Sequence, residues 1–165
     1  KFDVDVTGSP LMLTYRGFSR TKDGRVHTDS KTKLLTILIY FNDGWSAETG
    51  KLRILNSDNM DDIAEEVNPT AGCMIAFKVT DNCWHGYPSF EGTRHAIQVN
   101  FLASEAASKK HKFFKELSYN GYFLYSRSWL NCLMKIPNMT HYRRITSIDK
   151  KNTYCYIQII FFLFF

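Results

Sequence analysis

At 165 residues, 44% hydrophobic and 22% charged, the chain has room for one globular domain with a real core, and its balance excludes both disorder and repeated membrane spanning. The net charge of +5 is unevenly spread: residues 1–105 hold 11 Lys/Arg against 14 Asp/Glu, and residues 106–165 hold 10 against 2. Any basic surface therefore belongs to the C-terminal part, and a phosphate-tracking groove is not expected in the mildly acidic part before it.

Residues 1–10 are acidic and broken by Gly8 and Pro10, which does not fit a secretory leader. LMLTY (11–15) is β-prone, and TKDGR (21–25) reads as a turn built on Asp23-Gly24. KLLTILIYF (33–41) is a nearly continuous apolar run, as for a central strand buried on both faces, and NDGW (42–45) closes it. In GKLRILN (50–56), Leu52 and Ile54 alternate against Arg53, which predicts a strand with one buried face. DNMDDIAEEVNP (58–69) is acidic and reads as a surface loop or one helical turn stopped by Pro69. GCMIAFKV (72–79), WHGYP (84–88) and GTRHAIQVNFL (92–102) complete a series of short strands with Gly, Asn and Asp between them. Such a series predicts a mainly β fold, a double-stranded β-helix (jelly-roll, cupin-like) core.

From Ala103 the texture changes. SEAASKKHKFFKEL (104–117) predicts a closing helix, and the remainder, rich in Lys, Asn, Ile, Tyr and Phe, shows no clear strand or helix period. The expected organisation is a core over 1–105 and a basic, aromatic-rich extension over 106–165, helical or irregular, with 118–165 poorly specified. The terminal IQIIFFLFF is shorter than the about 20 apolar residues that a membrane helix needs, so no membrane association is expected. Cys73, Cys83, Cys132 and Cys155 show neither CxxC pairing nor close spacing, and read as reduced thiols of a cytoplasmic protein.

The chemistry is concentrated in three places. In His27-Thr28-Asp29, residues two apart on extended backbone point to the same side, so an imidazole and a carboxylate can grip one ion. Alone, this motif is as readily a solvated turn. His85, in Asn82-Cys83-Trp84-His85-Gly86, follows His27 by 58 positions, with three candidate strands between, a separation that a closed jelly roll can bring back beside its starting strand. Two histidines and a carboxylate with open positions make the facial triad of non-heme Fe(II) oxygenases, and the same ligands also serve hydrolytic zinc. Arg94 separates these readings: nine residues after His85 and inside the apolar Thr93-Arg94-His95-Ala96-Ile97, it needs an anionic partner to be buried, and hydrolytic zinc has no use for it.

With these residues in place, the chain resembles the 2-oxoglutarate/Fe(II)-dependent dioxygenase superfamily, and within it the prolyl-4-hydroxylase-like branch. The similarity runs from about Leu11 to Leu102 and is carried by His27-Thr28-Asp29, Ile39-Tyr40-Phe41-Asn42, Gly50-Lys51-Leu52-Arg53-Ile54, His85 and Gly92-Thr93-Arg94-His95-Ala96-Ile97. The resemblance implies that His27, Asp29 and His85 bind Fe(II) and that Arg94 pairs with the far carboxylate of 2-oxoglutarate. It also implies that Tyr40 donates its hydroxyl to that carboxylate, with Tyr15 as a second cosubstrate tyrosine. The activity it implies is hydroxylation of a substrate C–H bond by O2 with release of succinate and CO2. The substrate would be a peptidyl proline, another peptide or protein residue, or a small molecule, with ascorbate as an accessory reductant.

Asn100 stands where animal prolyl hydroxylases carry a bulky aromatic, and also where nucleic-acid demethylases carry a second arginine. Only 26 residues precede His27, which reads as a fragment or minimal version. Two other classes stay open. One is a metal-binding jelly roll without turnover, and the other is a nucleic-acid binder acting through residues 109–151, although no nucleic-acid partner is expected.

Overall fold

The computed structural model describes residues 3–109 in full and the backbone of residues 139–148 and 154–162. Seven strands build the core: β1 (Leu11–Ser19), β2 (Lys33–Tyr40), β3 (Leu52–Leu55), β4 (Ile63–Val67), β5 (Cys73–Lys78), β6 (His85–Gly86) and β7 (Gly92–Leu102). Two more, β8 (Met139–Ile148) and β9 (Tyr154–Phe162), follow. They form an antiparallel six-stranded sheet in the order β1-β7-β2-β5-β9-β8 and a three-stranded sheet in the order β4-β3-β6. This is the expected mainly β jelly-roll core.

β2 is central, paired to β7 on one side and to β5 on the other, and its apolar run is explained by burial on both faces. Leu35, Ile37 and Ile39 join Val99 and Phe101 on the outer face, covered by Val4, Val6 and Leu11. Tyr40 lies on the inner face, where Ile75, Phe77 and Ala96 of the large sheet meet Leu52, Ile54 and Val67 of the small one. Ile54 and Tyr40 are fully buried there, and a β3 side chain of that size cut to alanine costs about 2–5 kcal/mol.

Two expectations about strands need correction. The acidic stretch 58–69 is not a loop or helical turn throughout: Ile63–Val67 pairs with β3, Arg53 opposite Glu66, and the Arg53 guanidinium bonds the Glu66 carboxylate at 2.9 Å. Its charge marks the solvated face of a strand. The part after Leu117 is not without strands either, since β8 and β9 form a hairpin whose second strand pairs with β5 from Cys73↔Phe161 to Phe77↔Ile157. A run apolar at both odd and even positions hides the alternation that normally reveals a strand.

Of the predicted closing helix, residues 105–109 are helical and Ala107 packs on Met12 and Leu102; its remainder lies outside the described residues. Cys73 is a free thiol that burial pushes up to about 12. Cys83 is disulfide-bonded, so the reading of all four cysteines as reduced thiols does not hold for it. Among the described residues no helix is long and apolar enough to cross a membrane.

Candidate metal centre

His27 and His85 face each other because their backbones do. The amide of each donates to the carbonyl of the other, both at 3.0 Å, an isolated antiparallel bridge that extends the small sheet by one residue beyond β6. Their rings stand 4.4 Å apart between centroids, tilted by 53°. Asp29, two residues along from His27, turns its carboxylate to the same place, and one ligand atom from each of the three lies within 4.8 Å of the others. Asp29 and His85 are buried while His27 is open to solvent.

The imidazole tautomers follow from their partners. His27 Nδ1 lies 2.8 Å from the Arg25 carbonyl and His85 Nδ1 lies 2.9 Å from the Cys83 carbonyl. A carbonyl only accepts, so each Nδ1 carries the proton and each Nε2 keeps its lone pair. This is how metal-ligating histidines are oriented by the groups behind them. Burial, with His27 alongside, lowers His85 to about 4, which keeps its ring neutral and able to bind a cation. Burial alone would raise the Asp29 carboxyl, but the Lys33 ammonium, with His85 and hydrogen bonds from Lys33 and Thr36, outweighs it and holds Asp29 below its ordinary value. Two imidazoles that present Nε2 in their neutral form, with one ionised carboxylate, fit a divalent ion of the Fe(II) type.

One cavity of about 220 Å³ is lined by both histidines of this triad and by Arg94. Arg94 is 7% exposed and has no carboxylate partner among the described residues. Its Nε donates to the Gly50 carbonyl at 2.9 Å and its Nη2 to the Tyr40 hydroxyl at 3.3 Å, while the Tyr87 ring lies 4.1 Å from the guanidinium carbon. Gly50 can present that carbonyl because it sits at φ +78°, where a Cβ would meet Phe90 and Trp45 at 2.8 Å. A buried guanidinium with only neutral neighbours calls for an anion. Burial raises the Tyr40 hydroxyl, against the opposing pull of Arg94, so Tyr40 keeps its proton and remains a donor.

The fold thus brings together five of the six residues singled out in the sequence. Tyr15 is the exception and is a correction. It pairs with Ile97 on the outer face of the large sheet, where its hydroxyl meets His95 Nδ1 at 2.5 Å and its ring stacks on His95. From β1 it is Arg16, Phe18 and Ser19 that line the cavity. A one-residue change of parity moves a strand side chain to the other face. Sequence reasoning passed over Tyr87, whose place two residues after His85 was the available signal. It also passed over Lys33 and Thr36, which touch Asp29 directly.

Comparison with known proteins adds three findings. The sequence model of the 2OG-Fe(II) oxygenase superfamily matches residues 14–102, more than half of the chain. Among solved structures, a prolyl-4-hydroxylase from Pseudomonas putida is similar at a TM-score of 0.47 and 20% identity, over 59% of this chain and 55% of that one. No curated protein matches. The chain therefore belongs to the 2OG-Fe(II) oxygenase superfamily, whose cofactor set is Fe(II), 2-oxoglutarate and O2.

Proposed function

We propose that the protein is a hydroxylase that uses 2-oxoglutarate and O2 to turn a substrate C–H bond into C–OH, releasing succinate and CO2. The observation that carries this reading is the pairing of two features: His27 and His85, grouped with the Asp29 carboxylate, line the same cavity as an anion-seeking Arg94. His27, Asp29 and His85 would hold the Fe(II), and Arg94 with Tyr40 would hold the far carboxylate of 2-oxoglutarate. When bound, the iron supplies the activation of O2 that no side chain can provide.

The chain's own residues do the positioning. Arg25 and Cys83 carbonyls fix the imidazole tautomers, the Gly50 carbonyl aims the guanidinium, and Tyr40 adds a neutral donor beside it. Tyr87 covers the cation and, with its hydroxyl 3.0 Å from Ser19 Oγ, closes one wall against water. Peptidyl proline is the first substrate class to try, with ascorbate present, and the proposed catalytic unit is 1–105, with 106–165 as an extension.

The test is anaerobic titration with Fe(II) and then 2-oxoglutarate, followed by the weak visible charge-transfer band of the chelated complex. A band is expected in the parent. In Arg94→Ala the band should need at least tenfold more 2-oxoglutarate, since a hydrogen bond to a charged group contributes about 1.5–3 kcal/mol. Folded, iron-loaded protein that gives no band would instead mark a metal-binding module without turnover.

A further inference from the structure

Asp29 carries more than a metal ligand needs. Its Oδ1 accepts from Lys33 Nζ at 2.5 Å and its Oδ2 from Thr36 Oγ1 at 2.5 Å, so both oxygens are held. The Lys33–Asp29 pair is withdrawn from solvent, with side-chain exposures of 11% and 5%. A lysine there is unexpected on charge grounds, because it places a cation against the one anionic ligand meant for a dication.

The support behind Thr36 has one consistent arrangement. Thr36 Oγ1 lies 3.1 Å from the amide of Asn100 and has a single proton, which goes to Asp29. The Asn100 atom facing Thr36 must then be the donor nitrogen. The opposite orientation leaves the buried Asn100 Nδ2 without a partner. Turning the amide, with the half-buried Gln98 amide turning in step, gives a directed chain from Asn100 to Thr36 to Asp29.

We propose that Lys33 is the resident counter-cation of the metal centre. It neutralises Asp29 when no metal is bound and weakens the hold on a divalent ion when one is, while the Asn100–Thr36 chain keeps the carboxylate aimed. The proposal rests on the metal reading of His27, Asp29 and His85. Its consequence is a metal that exchanges readily from a site that stays folded without it. An uncompensated Asp29 would instead grip any divalent cation more tightly and destabilise the empty protein.

The test uses Mn(II) as probe, with free ion counted by electron paramagnetic resonance, in the full chain and at low ionic strength. Lys33→Met should bind Mn(II) about tenfold more tightly than the parent, a change of the size that groups behind metal ligands produce. Its metal-free melting temperature should fall and should be regained on adding Mn(II). Lys33→Arg, which keeps the charge, should bind like the parent. If Lys33→Met does not fold, Lys33→Gln keeps a donor to Oδ1 without the charge and serves the same comparison. Parent binding that is lost in His85→Ala, with affinity unchanged or weaker in the uncharged Lys33 variants, overturns the counter-cation role alone. A parent that binds no Mn(II) overturns the metal reading and this proposal together.

Discussion

His85 is the residue on which the metal-free site turns. Its folded value of about 4 lies below the ordinary 6.5, so the unfolded chain binds more protons between these two pH values. Metal-free protein should therefore hold its stability above pH 6.5 and lose it progressively as pH falls toward 4. Asp29, held low, loses its contribution in the same direction at more acid pH. Urea midpoints measured from pH 7.5 to 4 check this, and a flat midpoint down to pH 5 would contradict it. Tyr40→Phe removes one neutral donor from the proposed anion pocket, and the 2-oxoglutarate dissociation constant should rise about fivefold to tenfold, as for a hydrogen bond contributing about 1 kcal/mol. Cys73, buried and pushed up to about 12, should resist alkylation by iodoacetamide until the protein unfolds.

At the scale of elements, the site depends on short connections more than on long strands. Gly50, just before β3, carries the carbonyl that aims Arg94, and Gly50→Ala combines a strained φ of +78° with contacts of 2.8 Å to two aromatic rings. It should destabilise the fold by about 1–3 kcal/mol and weaken 2-oxoglutarate binding together with it, which paired melting and titration would show. What was legible in the sequence follows the same division. His27 with Asp29, Tyr40 and Arg94 could be read because same-side spacing, a strand end and a charge in an apolar run are local signals. Tyr15 was misassigned because the face of β1 is set by its pairing with β7, a contact 80 residues away in sequence. Lys33 was read as the start of a strand, since nothing local shows that the chain folds it back four residues onto Asp29. β4 was hidden by its acidic composition, which makes sense only opposite Arg53 and Lys51.

For the whole molecule, β9 completes the large sheet beside β5. With β2 on one side and β9 on the other, β5 has no free edge from Met74 to Phe77. Hydrogen exchange should then be slow at successive β5 amides; an edge strand would instead alternate slow and fast. Alternation would mean that β9 does not pair there in solution. The two covered faces of β2 show the same reliance on remote chain, since Val4 and Val6 seal the outer side while the small sheet seals the inner.

The reciprocal hydrogen bonds between His27 and His85 have a consequence for how the centre is filled. They act as a caliper: the spacing of the two histidine backbones is set by peptide geometry before any ion arrives, and it cannot widen without breaking two backbone hydrogen bonds. Loading then resembles seating a bearing in a machined bore, and the backbone amide spectra of His27 and His85 should show the same bridge in empty and filled protein.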